Sequence, residues 1–265
     1  MADSHIHLET DARGVATITL TRPEVHNAFN DQLVAELDKA LAALAADEDV
    51  RVVVLAGEGP SFSAGGDLNW MRRMGQTDEA ENRDDALALA ATLRRLNFHP
   101  KPTVARVQGA ALGGGVGLAC CCDIVVASDA ARFGLTEVRL GLVPAVISPY
   151  VIDAIGARRA RHLFLTGEIL DAEASKAAGF VHVLSDADGL DAALEQQIDW
   201  LLRGGPRAVA AAKALIFAVQ GGKSEAGQQQ IDQATASLIA RLRVSEEGQE
   251  GLTAFLEKRH PSWRS

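Results

Sequence analysis

Three segments of this 265-residue chain place glycines directly after or beside apolar runs. They are Phe62-Ser63-Ala64-Gly65-Gly66-Asp67-Leu68, the stretch Val107 to Gly117 with Gly113-Gly114-Gly115, and Phe133-Gly134-Leu135-Thr136-Glu137 followed by Gly141-Leu142-Val143-Pro144. A glycine after a strand has two readings: it serves a turn that needs positive φ, or it lets backbone N–H groups approach a ligand. The nucleotide versions of the second reading fail. No G-x-G-x-x-G with a correctly placed acidic residue is present, and no Lys-Ser/Thr follows Gly115. What remains is an anion hole, with N–H groups of two loops, one at a helix N-terminus, converging on a developing oxyanion. The seven histidines are scattered and form no metal constellation. Cys120-Cys121-Cys122 suits neither a disulfide framework nor a zinc site and reads as small apolar filling. Asp67 and Asp123 read as turn or capping residues. Glu137, taken by itself, reads as a solvated glutamate in a first turn.

These segments need elements to hold them. Alternating runs Ile6 to Glu9 and Val15 to Leu20 predict a hairpin turning at Gly14. Leu33, Val34, Leu37, Leu41 and Leu44 recur at helical spacing behind an Asn30 or Asp31 cap. Val50 to Ala56 then reads as a buried parallel strand, completing a βαβ unit. The alternation continues with a helix over 79–96, a strand over 103–107, a short helix from the glycine triplet to Cys122 and a strand over 123–127. Helices follow over 149–155, 157–165, 172–178 and 190–203. Gly204-Gly205-Pro206 is the boundary candidate, with helices over 207–219, 224–243 and 246–258 beyond it. The expected division is an α/β core over 1–204 and a helical segment over 205–265.

Composition narrows the class. Hydrophobic residues at 48% and charged residues at 23% are those of a folded globular chain. A net charge of −9 argues against nucleic acid as a partner. The apolar run Ala110 to Cys122 falls short of the roughly 20 residues of a membrane span, and no basic, then apolar, leader opens the sequence. The expectation is a soluble cytoplasmic protein with no membrane or nucleic-acid partner.

Taken together, the quoted loops are recognisable. With Asp123-Ile124, Ala131-Arg132-Phe133, Arg22 to Ala28, Leu165-Thr166-Gly167 and Phe255 to Arg259, they resemble the enoyl-CoA hydratase/isomerase (crotonase) family, in family order along nearly the whole chain. The resemblance implies a crotonase (ClpP-like) spiral of β-β-α turns, a C-terminal helical trimerisation segment, and a homotrimer or dimer of trimers. It also implies an acyl-CoA thioester as substrate, with coenzyme A arriving as part of it and no separate cofactor or metal. By the same resemblance, Gly66 and Gly114 supply the oxyanion N–H groups. One such donor is worth about 3–4 kcal/mol elsewhere. Gly114→Val is therefore expected to cripple turnover while sparing the core.

Family hydratases carry two glutamates, which fall at Gly117 and Glu137 here, so one carboxylate is missing. Within the resemblance Glu137 becomes the proton shuttle. As a hydratase residue it would deprotonate the water attacking Cβ and then protonate Cα. As an isomerase residue it would move a proton between Cα and Cγ. The stretches Gly115 to Leu118 and Thr136 to Tyr150 look like the bacterial methylglutaconyl-CoA and isohexenylglutaconyl-CoA hydratases, implying a 3-methylglutaconyl-CoA-like substrate. Arg139, Ser148 and Tyr150 are the candidates for its second carboxylate. Arg22, His26, Ala28, Ala64, Asp67, Leu68 and Lys258 match the family's coenzyme A surface. A Δ3,Δ2-enoyl-CoA isomerase, or a silent acyl-CoA- or RNA-binding member, is the alternative.

Overall fold

The structure is a computed structural model and describes residues 4–220 and 223–263. Strands β1 (Ile6–Thr10) and β2 (Val15–Leu20) form the antiparallel hairpin, in register from Ile6 opposite Leu20 to Thr10 opposite Ala16. Gly14 turns it at φ 80°, where a Cβ would stand 2.3 Å from the Asp49 carbonyl oxygen. Helix α1 (Asp31–Ala46) is capped by Asn30, whose side chain accepts the Leu33 N–H, and it buries Leu33, Val34, Leu37, Leu41 and Leu44. Strand β3 (Val52–Gly57) is buried throughout and lies parallel to β2.

Helices α2 (Leu68–Met74) and α3 (Glu79–Asn97) follow, then β4 (Thr103–Val107), β5 (Ala110–Leu112), α4 (Gly114–Cys121), β6 (Ile124–Ser128) and β7 (Arg132–Gly134). A 3-10 turn over Glu137–Leu140 leads to α5 (Ser148–Thr166), interrupted at Gly156 (φ 77°), where the sequence separates two helices. Strand β8 (Ile169–Leu170), helix α6 (Ala172–Ala178), β9 (Val183–Ser185) and α7 (Leu190–Arg203) complete the part before Gly204.

One sheet has the order β1-β2-β3-β4-β6-β9, parallel except at β1, and a second has β5-β7-β8. The path from β4 to β5 and from β6 to β7 gives one strand to each sheet per turn. Single bridges of Ser63 to Ala111 and Phe29 to Gly66 extend the second layer. The alternation expected from sequence is therefore two stacked layers rather than one doubly wound sheet. Their shared interior is a continuous core including Leu41, Leu55, Phe62, Leu93, Leu118 and Phe133.

Helices α8 (Pro206–Val219), α9 (Glu225–Arg243) and α10 (Glu246–Leu256) form the C-terminal segment. Helix α9 packs along α3, where Arg94 pairs with the buried Asp232. Helix α8 buries none of its side chains fully and is fastened by the Lys213–Asp123 ion pair at 2.8 Å. No helix among the described residues is long and apolar enough to cross a membrane.

Candidate active site

The first glycine loop is stitched between two neighbours. The Phe29 N–H donates to the Gly65 carbonyl and the Asp67 N–H to the Phe29 carbonyl, at 2.8 and 2.9 Å. On the other side the Ser63 N–H donates to Ala110, and the Leu112 N–H donates back to Ser63. Gly65 is required here: its φ is 85°, and a Cβ would stand 2.8 Å from the Leu112 carbonyl oxygen and 3.6 Å from the Gly114 nitrogen. That close approach sets the first glycine loop against the start of the glycine triplet's helix. The Gly113 N–H donates to Gly134 at 2.8 Å, which ties the start of α4 to β7. The Gly66 and Gly114 N–H groups make no hydrogen bond to other described residues. Two free donors, one at the N-terminus of an eight-residue helix, suit a ligand oxygen that gains negative charge.

Glu137 closes the other side. It opens the 3-10 turn, and its Oε1 would lie 3.1 Å from a Cβ at Gly113. Its Oε2 is buried with no hydrogen-bond partner, the one carboxylate oxygen so placed among the described residues. Burial pushes the carboxyl up to about 7. The solvated first-turn glutamate that the residue alone suggests is overturned: the residue is half-buried, but its Oε2 is desolvated and its Oε1 faces the Gly113 backbone.

Helix α2 starts immediately after the first loop and is firmly held. Asp67 caps it, accepting the Asn69 and Trp70 N–H groups at 2.8 and 3.1 Å. Trp70 donates from its indole N–H to Asp85 at 3.0 Å, and the Arg243 guanidinium stands 5.2 Å from the Trp70 ring centre while pairing with Asp85. The network ties α2 to α3 and α9.

The seven residues expected to meet coenzyme A are not all free to do so. Arg22 donates to the Ala28 carbonyl and to Asp67 Oδ2, the latter at 2.9 Å. Burial raises the Asp67 carboxyl, but hydrogen bonds from Trp70, Arg22 and Asn69 outweigh it and hold the group below its usual range. The side chain of Asp67 thus caps α2, as its place in the sequence suggests, and also accepts from Arg22. His26 is exposed with Nδ1 3.0 Å from Ser61 Oγ, the Ala64 N–H donates to the His26 carbonyl, Ala28 is buried and Leu68 is half exposed. These six gather around the first glycine loop. Lys258 follows α10, is exposed, and makes no hydrogen bond or ion pair with any of them.

Arg139 is exposed and donates to the Gly167 carbonyl at 2.7 Å, while Ser148 Oγ donates to Ala145 at 2.7 Å. Tyr150 is buried, with Cys121, Asp232 and Arg94 as electrostatic neighbours. Arg139 therefore ties the 3-10 turn to the end of α5, and Ser148 serves a local turn. Cys121 and Cys122 fill the core, and burial pushes the Cys122 thiol up to about 12. A cleft of about 280 Å³ lined by Asp31, Val34, Trp70, Asp85 and Thr92 includes neither Glu137 nor the glycine loops. Among the described residues no His, Cys, Asp and Glu cluster could hold a metal.

Two residues of the site escape a reading by motif. The Phe29 ring lies against Gly114, where a Cβ would meet ring carbons at 2.3 and 2.5 Å. The expectation that Gly114→Val spares the core is overturned, because Phe29 belongs to the core. That variant should lower Tm by roughly 5–10 °C, measured by thermal unfolding, in addition to any loss of turnover. The other is Ile147, which fills the space beside Gly117. The buried helical glycine is itself the signal that something approaches it closely.

Comparison with known proteins identifies the family. The model of the Enoyl-CoA hydratase/isomerase family matches residues 10–265. The 2,3-dehydroadipyl-CoA hydratase of Escherichia coli is 37% identical over 255 residues, covering 94% of this chain and 95% of the relative. The trans-2-decenoyl-[acyl-carrier-protein] isomerase of Streptococcus mutans is 32% identical, covering 94% of each. The mitochondrial methylglutaconyl-CoA hydratase of Homo sapiens is 31% identical, covering 97% of this chain and 76% of the relative. The crystal structure of an enoyl-CoA hydratase from Shewanella pealeana, 43% identical, superposes with a TM-score of 0.80 over 98% of this chain and 96% of that one. The two layers are accordingly those of a crotonase fold, and the chain belongs to the enoyl-CoA hydratase/isomerase family as an enzyme of the hydratase type.

Proposed function

We propose that this enzyme adds water reversibly across the C2=C3 bond of a 3-methylglutaconyl-CoA-like thioester. The observation that carries the reading is the Glu137 carboxyl, buried without a partner on Oε2 and facing Gly113, in a chain whose Gly66 and Gly114 amides are free. The thioester oxygen accepts both N–H groups and takes the negative charge of the enolate. Glu137 as carboxylate removes a proton from water, whose oxygen bonds to Cβ as the C2=C3 electron pair moves toward the thioester. The protonated Glu137 then returns its proton to Cα, so atoms and charge balance with water and this one acid. The substrate class draws support from the likeness of 136–150 to methylglutaconyl-type hydratases and from the human relative. The main chain around His26 and Ala64, with Leu68 and Arg22, is the proposed cradle for coenzyme A, and Lys258 the proposed partner of a phosphate.

The isomerase reading rests on one observation, that Gly117 offers no second carboxylate. Assaying 3-methylglutaconyl-CoA, crotonyl-CoA and a 3-enoyl-CoA side by side tests both. Hydration of the first at the highest kcat/KM supports the proposal. Conversion of the 3-enoyl thioester alone, without water uptake, would replace it.

We also propose a trimer, or a dimer of trimers, closed by the C-terminal segment. Leu215, Ile216 and Val219 on α8 are 60, 55 and 73% exposed, an apolar face larger than scattered surface residues leave. Ile216→Asp should shift the mass by light scattering toward the monomer; an unchanged mass would place the interface elsewhere.

A further inference from the structure

A glycine inside a buried helix costs about 1 kcal/mol relative to alanine, so it calls for a steric reason. Gly117 is buried in α4, and its N–H donates to the Gly113 carbonyl one turn earlier at 3.2 Å. A Cβ at Gly117 would stand 2.3 Å from Ile147 Cγ2 and 2.9 Å from Ile147 Cβ, with Leu93 next at 3.8 Å. Neither Ile147 atom can swing aside. Its Cβ is fixed by the backbone, branching at Cβ restricts χ1, and the residue is buried at the start of α5.

The preceding turn of α4 meets Glu137, whose Oε1 lies 3.1 Å from a Cβ at Gly113. Successive turns of one short helix thus face a carboxyl and a branched hydrocarbon. No charge acts on that carboxyl from its surroundings. Arg139, in the same turn, donates to Gly167; Glu247 of α10 lies against Gly141 through its carbonyl and Cγ; α4 contributes only thiols; and burial, not a neighbouring charge, raises the Glu137 carboxyl.

We propose that Ile147 is a positioning residue: it occupies the volume that a side chain at 117 would need, and so keeps the acid–base centre to one carboxylate with an apolar flank. The second half of this statement rests on the reading of Glu137 as the proton shuttle; the first half does not.

A double-mutant cycle on the full-length protein tests the first half by thermal unfolding, with no substrate. Gly117→Ala should lower Tm by roughly 5 °C despite the better helix propensity of alanine, and should leave Tm equal or higher in an Ile147→Ala background. Equal effects in the two backgrounds would overturn the steric claim. For the second half, the kcat/KM–pH profile on crotonyl-CoA is compared between wild type and Ile147→Thr. A hydroxyl in the flank should move the midpoint down by roughly half a unit to one unit, since it solvates the carboxylate form. An unmoved midpoint would overturn the flank's role. A wild-type profile with no such midpoint would instead defeat the Glu137 reading, and the unfolding cycle would stand regardless.

Discussion

Glu137→Gln is expected to lower kcat/KM on enoyl-CoA thioesters about a thousandfold, with the fold intact. Positioned acid–base groups contribute about 10²–10⁴ in rate, and no second carboxylate stands at 117 to take over. Glutamine matches glutamate in shape but cannot accept and return a proton. The two main-chain amides persist in the variant, so residual turnover above the uncatalysed rate reports what the oxyanion site does alone. Initial rates with circular dichroism as a folding control check this. Near-wild-type turnover would remove Glu137 from the chemistry.

The same substitution should change stability in a pH-dependent way. The folded carboxyl titrates near 7 against an ordinary value of 4.5, raised by burial. The folded state therefore binds more protons than the unfolded state between those values, and wild-type stability falls as pH rises through that window, levelling off above 7. Glutamine lacks this titration. The stability difference, variant minus wild type, should become more favourable to the variant by about 2–3 kcal/mol between pH 5 and pH 8. Urea unfolding at the two values measures it. A difference that stays constant would mean that the carboxyl is solvated after all. A residue that costs stability at neutral pH and is indispensable for turnover is the pattern expected of a desolvated acid–base group.

How much of this was legible beforehand differs by element. Periodicity marked α1, α6 and α7 well, because each buries a stripe at helical spacing and most have a capping side chain or glycine at an end. The strands β5 and β7 lie inside glycine-bearing segments, and β8 and β9 carry no signal of their own, since two or three residues cannot show alternation. That is why the sequence spoke for alternating α/β but not for two layers. Within the site, the glycine loops and Glu137 were legible as a family pattern. Whether the Glu137 carboxyl was desolvated was not, because Gly113, which it faces, and α10, which packs on its turn, lie far away in sequence. Phe29 against Gly114 and Ile147 against Gly117 are likewise contacts through space, with no sequence spacing to announce them. Asp67 shows the converse: its capping role could be read locally, whereas its pairing with Arg22 across 45 positions could not.

The central claim is that one desolvated carboxyl carries the proton for a thioester held by two amides. The pH dependence of kcat/KM for 3-methylglutaconyl-CoA, measured for wild type and Glu137→Gln, tests it most directly. The expected result is a single limb that rises with pH, with its midpoint near 7 in the wild type and absent from the variant. A flat wild-type profile between pH 5 and 8.5, or the same limb surviving in the variant, would contradict it.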